Sequence, residues 1–148
     1  MTERFYHSGF QIFSPSQTDL INQKITVEYN QIQFSVSHLD PLQNGSFDYM
    51  QINNIRPMCW SPLGTVFTKK NEQTAAIKKV VAVLSEKYDA PADVILLAWI
   101  LRHPANILPV FGSADMARIN CLMKATTIQM DLKDWFVLWE AGMGREVA

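Results

Sequence analysis

Short apolar runs alternate with capped, amphipathic stretches along this chain, and that alternation limits the fold more than any other feature. The order reads strand, helix, strand, helix, strand, helix pair, strand, helix, helix. Such an order predicts a parallel sheet with right-handed crossovers, because parallel neighbours need a helix-length connection. No linker rich in Gly, Ser or Pro divides the chain, and no repeat or low-complexity segment appears, so residues 1–148 read as a single domain.

Local chemistry sets the element boundaries. Residues 5–13 make a short strand interrupted by Gly9. Ser14-Pro15-Ser16-Gln17 then opens a helix, with Ser14 as N-cap, Pro15 in the first helical position and Gln17 completing a capping box. Leu20, Ile21 and Ile25 supply its apolar face. Residues 25–36 switch to period two, with Ile32, Phe34 and Val36 on one side and Gln31, Gln33 and Ser35 on the other. Polar residues turned inward suit a barrel strand whose outside is covered by helices. An edge strand with its glutamines in water has the same pattern.

Asp40-Pro41 and Asn44-Gly45 mark turns, and residues 47–54 have room for two helical turns. Asn71 caps a helix running to about Tyr88, with Ala76, Ile77, Val80, Val81, Leu84 and Tyr88 on one face. Asp89-Ala90-Pro91 breaks it, and a second helix carrying Val94, Leu97, Ala98 and Leu101 stops at His103-Pro104. Residues 107–111 form another strand, followed by a helix capped by Asp115. Asp131 caps the last helix, where Leu132, Trp135, Phe136 and Trp139 form a packing stripe and Gly142 closes the end.

The 148 residues, 48% hydrophobic and 18% charged, can bury a real core. A net charge of −1 and a pI near 6.3 argue against a nucleic-acid partner held by bulk electrostatics. The longest apolar run, residues 94–101, falls far short of the ~20 residues a membrane span needs, so no membrane partner is expected. No apolar stretch follows Met1-Thr2-Glu3-Arg4 to serve as a secretory signal. Cys59 and Cys121 form neither a CxxC pair nor a disulfide framework and read as small core residues in a reducing cytoplasm. His7, His38 and His103 have no partner at metal-ligand spacing and read as surface or capping histidines. No G-x-S-x-G, H-E-x-x-H, Walker loop or G-x-G-x-x-G occurs, and no acid–base constellation stands out.

Polar residues gather instead at three strand ends, where ligands sit in parallel α/β proteins. Trp60-Ser61-Pro62-Leu63-Gly64 is either a turn that ends a strand or a small-residue loop that receives a phosphate. Gly112-Ser113 offers backbone N–H groups and a hydroxyl to an anion. Arg118 adds a guanidinium fork, or is simply a solvated helix residue. Trp60 either stacks on a flat ring or packs in the core.

Four stretches taken in order carry a family likeness: Asn44-Gly45-Ser46-Phe47-Asp48-Tyr49, Arg56-Pro57-Met58-Cys59-Trp60-Ser61-Pro62-Leu63-Gly64, Ala98-Trp99-Ile100-Leu101-Arg102-His103-Pro104 and Leu108-Pro109-Val110-Phe111-Gly112-Ser113. They resemble the C-terminal half of an aldo-keto reductase, from about Gly9 to the end, with the bacterial YdhF-like oxidoreductases as the subgroup. The resemblance implies an α/β fold that is a partial, half TIM (β/α)8 barrel with about four parallel strands and covering helices. It also implies NADP(H) as cofactor and carbonyl reduction by hydride transfer. Gln31 would hold the nicotinamide carboxamide, Trp60 would stack on the nicotinamide, and Ser61, Leu63 and Gly64 would form the pyrophosphate loop. Ser113 and Arg118, with Gly112 beside them, would hold the adenosine 2′-phosphate and favour NADPH.

The chain also departs from the family pattern. Phe10-Gln11-Ile12-Phe13 stands where Val-Ser-Asn-Phe is usual, and Cys121 and Leu122 stand where polar adenine contacts are common. The family's Asp, Tyr, Lys and His tetrad lies on the first four barrel strands, which this chain is read as lacking, so no residue here inherits a catalytic role. A half barrel exposes two strand edges and an inner face. The partner expected to cover them is a second copy of the chain or a missing N-terminal half. Two readings stand: a truncated reductase chain, or a non-catalytic half-barrel remnant acting as a weak nucleotide-binding or protein-interaction module.

Overall fold

The computed structural model describes residues 9–11 and 13–147. Four strands, β1 (Gly9–Gln11), β2 (Tyr29–Gln33), β3 (Arg56–Trp60) and β4 (Leu108–Pro109), form one sheet in chain order, and every neighbouring pair is parallel. The helices are α1 (Pro15–Asn22), α2 (Ser46–Ile52), α3 (Glu72–Tyr88), α4 (Ala92–Leu101), α5 (Met116–Met123) and α6 (Leu132–Met143). This is the expected half barrel: four parallel strands against the eight of a closed (β/α)8 barrel. Of the first predicted strand, residues 5–8 and 12 lie outside the described residues, as does His7.

The caps predicted at Ser14, Asn71 and Asp115 form. Ser14 Oγ accepts from the Gln17 N–H while Gln17 reaches back to the Ser14 N–H, a complete capping box with Pro15 behind it. Asn71 does the same with Thr74. Asp115 Oδ1 accepts from the Ala117 and Arg118 N–H groups.

α4 buries more than the Val94, Leu97 and Ala98 named from the sequence. Val94 through Ile100 are all buried, because α3, α5, β4 and the 3-10 turn Lys124–Thr127 surround it. Its Trp99 is locked to Trp135 of α6. The two indoles stack 5.3 Å apart, and each Nε1–H donates to the other residue's carbonyl at 2.9 Å.

Several other expectations are corrected. Gly142 does not close α6; Gly144 does, at φ +70°. Gly142 is buried inside the helix because a Cβ there would overlap the Val36 carbonyl oxygen. Asp131 occupies the N-cap position of α6 without capping it, since its carboxylate turns to Lys87 Nζ at 2.7 Å. Leu20, Ile25 and Ala76 are exposed, leaving Thr18 as the buried residue of α1.

The strand predicted over 107–111 shortens to two residues, where Pro109 has no N–H to give. Cys59 is fully buried, which pushes its thiol pKa far up, whereas Cys121 is only half-buried. His103 is not a surface residue. Its ring lies 5.1 Å from Phe47 and 6.1 Å from Trp135, and its Nδ1 accepts from the Ala105 N–H. Burial lowers its pKa against the opposing pull of Asp48.

Candidate functional site at the strand ends

Sheet register decides which residues share a face. Asn30 pairs with Pro57 and Ile32 with Cys59, and this face packs under the helices. The opposite face carries Gln31 beside Met58, Gln33 beside Trp60, and Leu108 beside Met58, all half-buried. The polar-inward reading suits residues 31–33, whose glutamines stand on the concave side with Met58 and Trp60, but the strand stops at Gln33 and Phe34, Ser35 and Val36 are all buried in the turn that follows. Neither Gln31 nor Gln33 makes a side-chain hydrogen bond with another described residue. Trp60 Nε1 is shielded from solvent and has no acceptor among the described residues.

The loop after β3 carries the next group. Ser61 has φ +51° and is exposed, Pro62 and Val66 are buried, and the Gly64 N–H closes a turn onto the Ser61 carbonyl at 2.8 Å. Gly64 has φ +54°, and a Cβ there would overlap Ser35 Oγ and Ser37 Oγ. Two anchors and a forbidden Cβ thus fix how this loop leaves the sheet, and Leu63 lies between them.

The loop after β4 brings the third group. Gly112 is exposed with open space over its Cα, and Ser113 Oγ accepts from the Asp115 N–H at 3.2 Å. Because Asp115 already takes the Ala117 and Arg118 N–H groups, the start of α5 offers an anion less than expected. The exposed Arg118 guanidinium and the Ser113 hydroxyl remain as donors. Leu63, Phe67, Ala92, Asp93 and Arg118 line one cavity of about 310 Å³. The structure therefore brings Leu63 of the loop after β3 and Arg118 of α5 to one cavity, and puts Gln31 and Trp60 on one sheet face; Ser61, Gly64, Gly112 and Ser113 do not line that cavity.

Phe67, 50% exposed, and Asp93 belong to this cavity and were not singled out in the sequence. Asn30 was missed too: 2% exposed, it accepts from the Phe13 N–H and donates to the Phe13 carbonyl, tying the turn after β1 to β2. A polar residue in phase with the apolar side of a strand was its signal. A larger cavity of about 570 Å³, lined by Met50, Asn54, Arg56 and Asn106 among others, lies at the opposite end of the strands. We place the site at the carboxyl ends because that is where the loops of a parallel sheet converge.

The donor set fits a dinucleotide in kind: two carboxamides, an indole face, hydroxyls of Ser61 and Ser113, and one guanidinium. Among the described residues no group of His, Cys, Asp or Glu could hold a metal ion, and no helix is long and apolar enough to cross a membrane.

Fold and site together define a parallel α/β half-barrel with its polar residues at the strand carboxyl ends. The chain belongs to the aldo/keto reductase family, whose pattern matches residues 6–138. It is 35% identical over 139 residues to 6-dehydroglucose reductase of Agrobacterium fabrum, covering 92% of this chain and 44% of that protein. Oxidoreductase YdhF of Escherichia coli is 31% identical over 144 residues, covering 95% of this chain and 48% of its own. The solved structure of the thermostable aldo-keto reductase Tm1743 with the inhibitor epalrestat matches with a TM-score of 0.79 at 20% identity. It covers 90% of this chain and 47% of that one. The chain thus spans about half the length of the curated relatives it matches.

Proposed function

We propose that this chain is the cofactor-holding half of an NADPH-dependent carbonyl reductase, with the catalytic Asp, Tyr, Lys and His outside it. The observation that carries this reading is the cavity shared by Leu63 and Arg118, because it sets the loop after β3 against the starts of α4 and α5 in one surface. When bound, the cofactor supplies hydride to a carbonyl carbon. Gln31 would hold the carboxamide and Trp60 the ring face, while Ser61, Leu63 and Gly64 follow the pyrophosphate. Arg118, with Ser113 and Gly112, would take the 2′-phosphate, which is the part that distinguishes NADPH from NADH. The open face and both sheet edges would be covered by a second half-barrel, either another copy or a separate N-terminal half. The setting is cytoplasmic, with no nucleic acid or membrane as partner.

A second reading, a non-catalytic remnant that binds nucleotide weakly or acts only through protein contacts, draws support from Asp115. Its carboxylate already occupies the first-turn N–H groups beside Arg118. Calorimetric titration with NADPH, with NADH in parallel, separates the two. The reductase reading expects a preference for NADPH that Arg118→Ala removes, costing about 10- to 100-fold in NADPH affinity for one charge-assisted contact. Binding of neither dinucleotide would favour the remnant.

A further inference from the structure

We propose that Ser37 is a positioning residue that sets the loop of residues 61–65 through a single hydroxyl; its effect on cofactor rests on the function proposed above. After β2 the chain turns tightly, with Ser35 N–H donating to the His38 carbonyl at 3.2 Å and His38 N–H to the Ser35 carbonyl at 3.0 Å. Phe34, Ser35 and Val36 are buried, so the turn has little freedom to shift. Gln73 holds it from outside, donating to the Gly142 carbonyl at 2.8 Å and to the Ser37 carbonyl at 3.5 Å.

From this fixed turn, Ser37 Oγ reaches the loop after β3. It accepts from the Thr65 N–H at 3.0 Å, lies 3.4 Å from Thr65 Oγ1, and touches Ser35 Oγ at 3.3 Å. Gly64 sits directly on these hydroxyls. Rotating the serines would not make room for a side chain there, because Ser35 Cβ itself lies 3.0 Å from the position a Cβ would take. The contact is therefore a matched pair: a residue without a Cβ at 64 and a hydroxyl at 37. It is applied one residue past Leu63, which lines the cavity with Arg118. A loop held in this way presents its backbone to a ligand already ordered, which lowers the cost of binding.

This predicts effects distinct from those of Arg118. In the unaltered chain the Thr65 amide should exchange with solvent more slowly than the same amide in an unfolded chain. Ser37→Ala should raise its exchange rate about tenfold, the loss of one hydrogen bond of ordinary strength. The same variant should weaken NADPH and NADH equally, by about 3- to 10-fold, because the loop faces the part common to both. Arg118→Ala should instead collapse the ratio between the two.

An unprotected Thr65 amide in the unaltered chain overturns the proposal without any variant. So does Ser37→Ala that leaves both exchange and affinities unchanged while the parent binds NADPH. A parent that binds neither dinucleotide strikes the proposed function instead, and amide exchange then still decides whether Ser37 sets the loop.

Discussion

Asp134 is held by two donors from α3, Lys87 Nζ at 2.6 Å and Tyr88 Oη at 2.5 Å, and its side chain is 15% exposed. Burial alone would raise its pKa, but the ammonium and the hydroxyl outweigh it and hold the carboxyl below its ordinary value. The folded chain therefore binds this proton less readily than the unfolded one. The stability Asp134 contributes is complete above the unfolded value of about 3.9 and is lost as pH falls through the lower folded value. Asp134→Asn should lower stability by about 1 kcal/mol at neutral pH in urea titrations, with the gap closing toward about pH 2. An equal gap at both ends of that range would contradict the assignment. Lys87 works in the other sense: Asp131 first, then Asp134, raise its pKa, so above neutral pH its contribution is lost as pH rises through that raised value. At this scale the sequence was legible wherever the partner is a few residues away, as in the Ser14–Gln17 and Asn71–Thr74 boxes. It was not legible for Asp131, whose partner lies 44 residues back, or for Asn30, bonded 17 residues away to Phe13.

At the scale of elements, period and punctuation carried most of the information. Asp89-Ala90-Pro91 separates α3 from α4, and Asp115 starts α5, as local chemistry requires. What periodicity could not supply is what covers an element. The run Val94 to Ile100 is apolar on every side, and α3, α5, β4 and the 3-10 turn, with Trp135 of α6 on Trp99, bury all of it. Gly142 shows the same limit: a glycine near a helix end reads as a stop, but here it lets α6 approach the Val36 carbonyl. Gly142→Ala should cost about 1–3 kcal/mol for that reason, as an overpacked contact against backbone that cannot move aside. The indole pair between α4 and α6 gives a second test. Trp99→Phe keeps the stacking but leaves the Trp135 carbonyl without its donor, at a cost of about 1–3 kcal/mol. Trp135→Phe should behave alike. Each single variant removes a different bond, and the double variant should cost less than the sum of the singles because losing either bond already loosens the stacked pair that orients the other. Strictly additive costs in denaturant titrations would mean that the two bonds act independently.

For the whole molecule, the unfinished surface is the decisive feature. Gln31, Gln33, Met58, Trp60 and Leu108 stand half-buried on the concave face, and among the described residues β1 and β4 each have one neighbour in the sheet. The half-barrel form was legible because every strand is followed by a helix. The identity of its cover was not, because nothing in a strand's sequence names the strand beyond an edge. Because β1 and β4 are parallel, two copies related by a two-fold axis along the barrel can join β4 of each to β1 of the other without reversing any strand. Such closure would bury both edges and enclose Trp60, whose Nε1 lacks an acceptor among the described residues. The expected outcome in sedimentation is a species of twice the 16.9 kDa chain mass across the micromolar range, and a shift to monomer for Trp60→Asp with helix content retained. A monomer that stays soluble at the highest of those concentrations would contradict self-closure. If the cover is instead a separate N-terminal half, adding such a chain should both form a one-to-one complex and protect tryptophan fluorescence from a soluble quencher. Protection by self-association and protection by the second chain differ in concentration dependence, so one quenching series at two chain concentrations separates them.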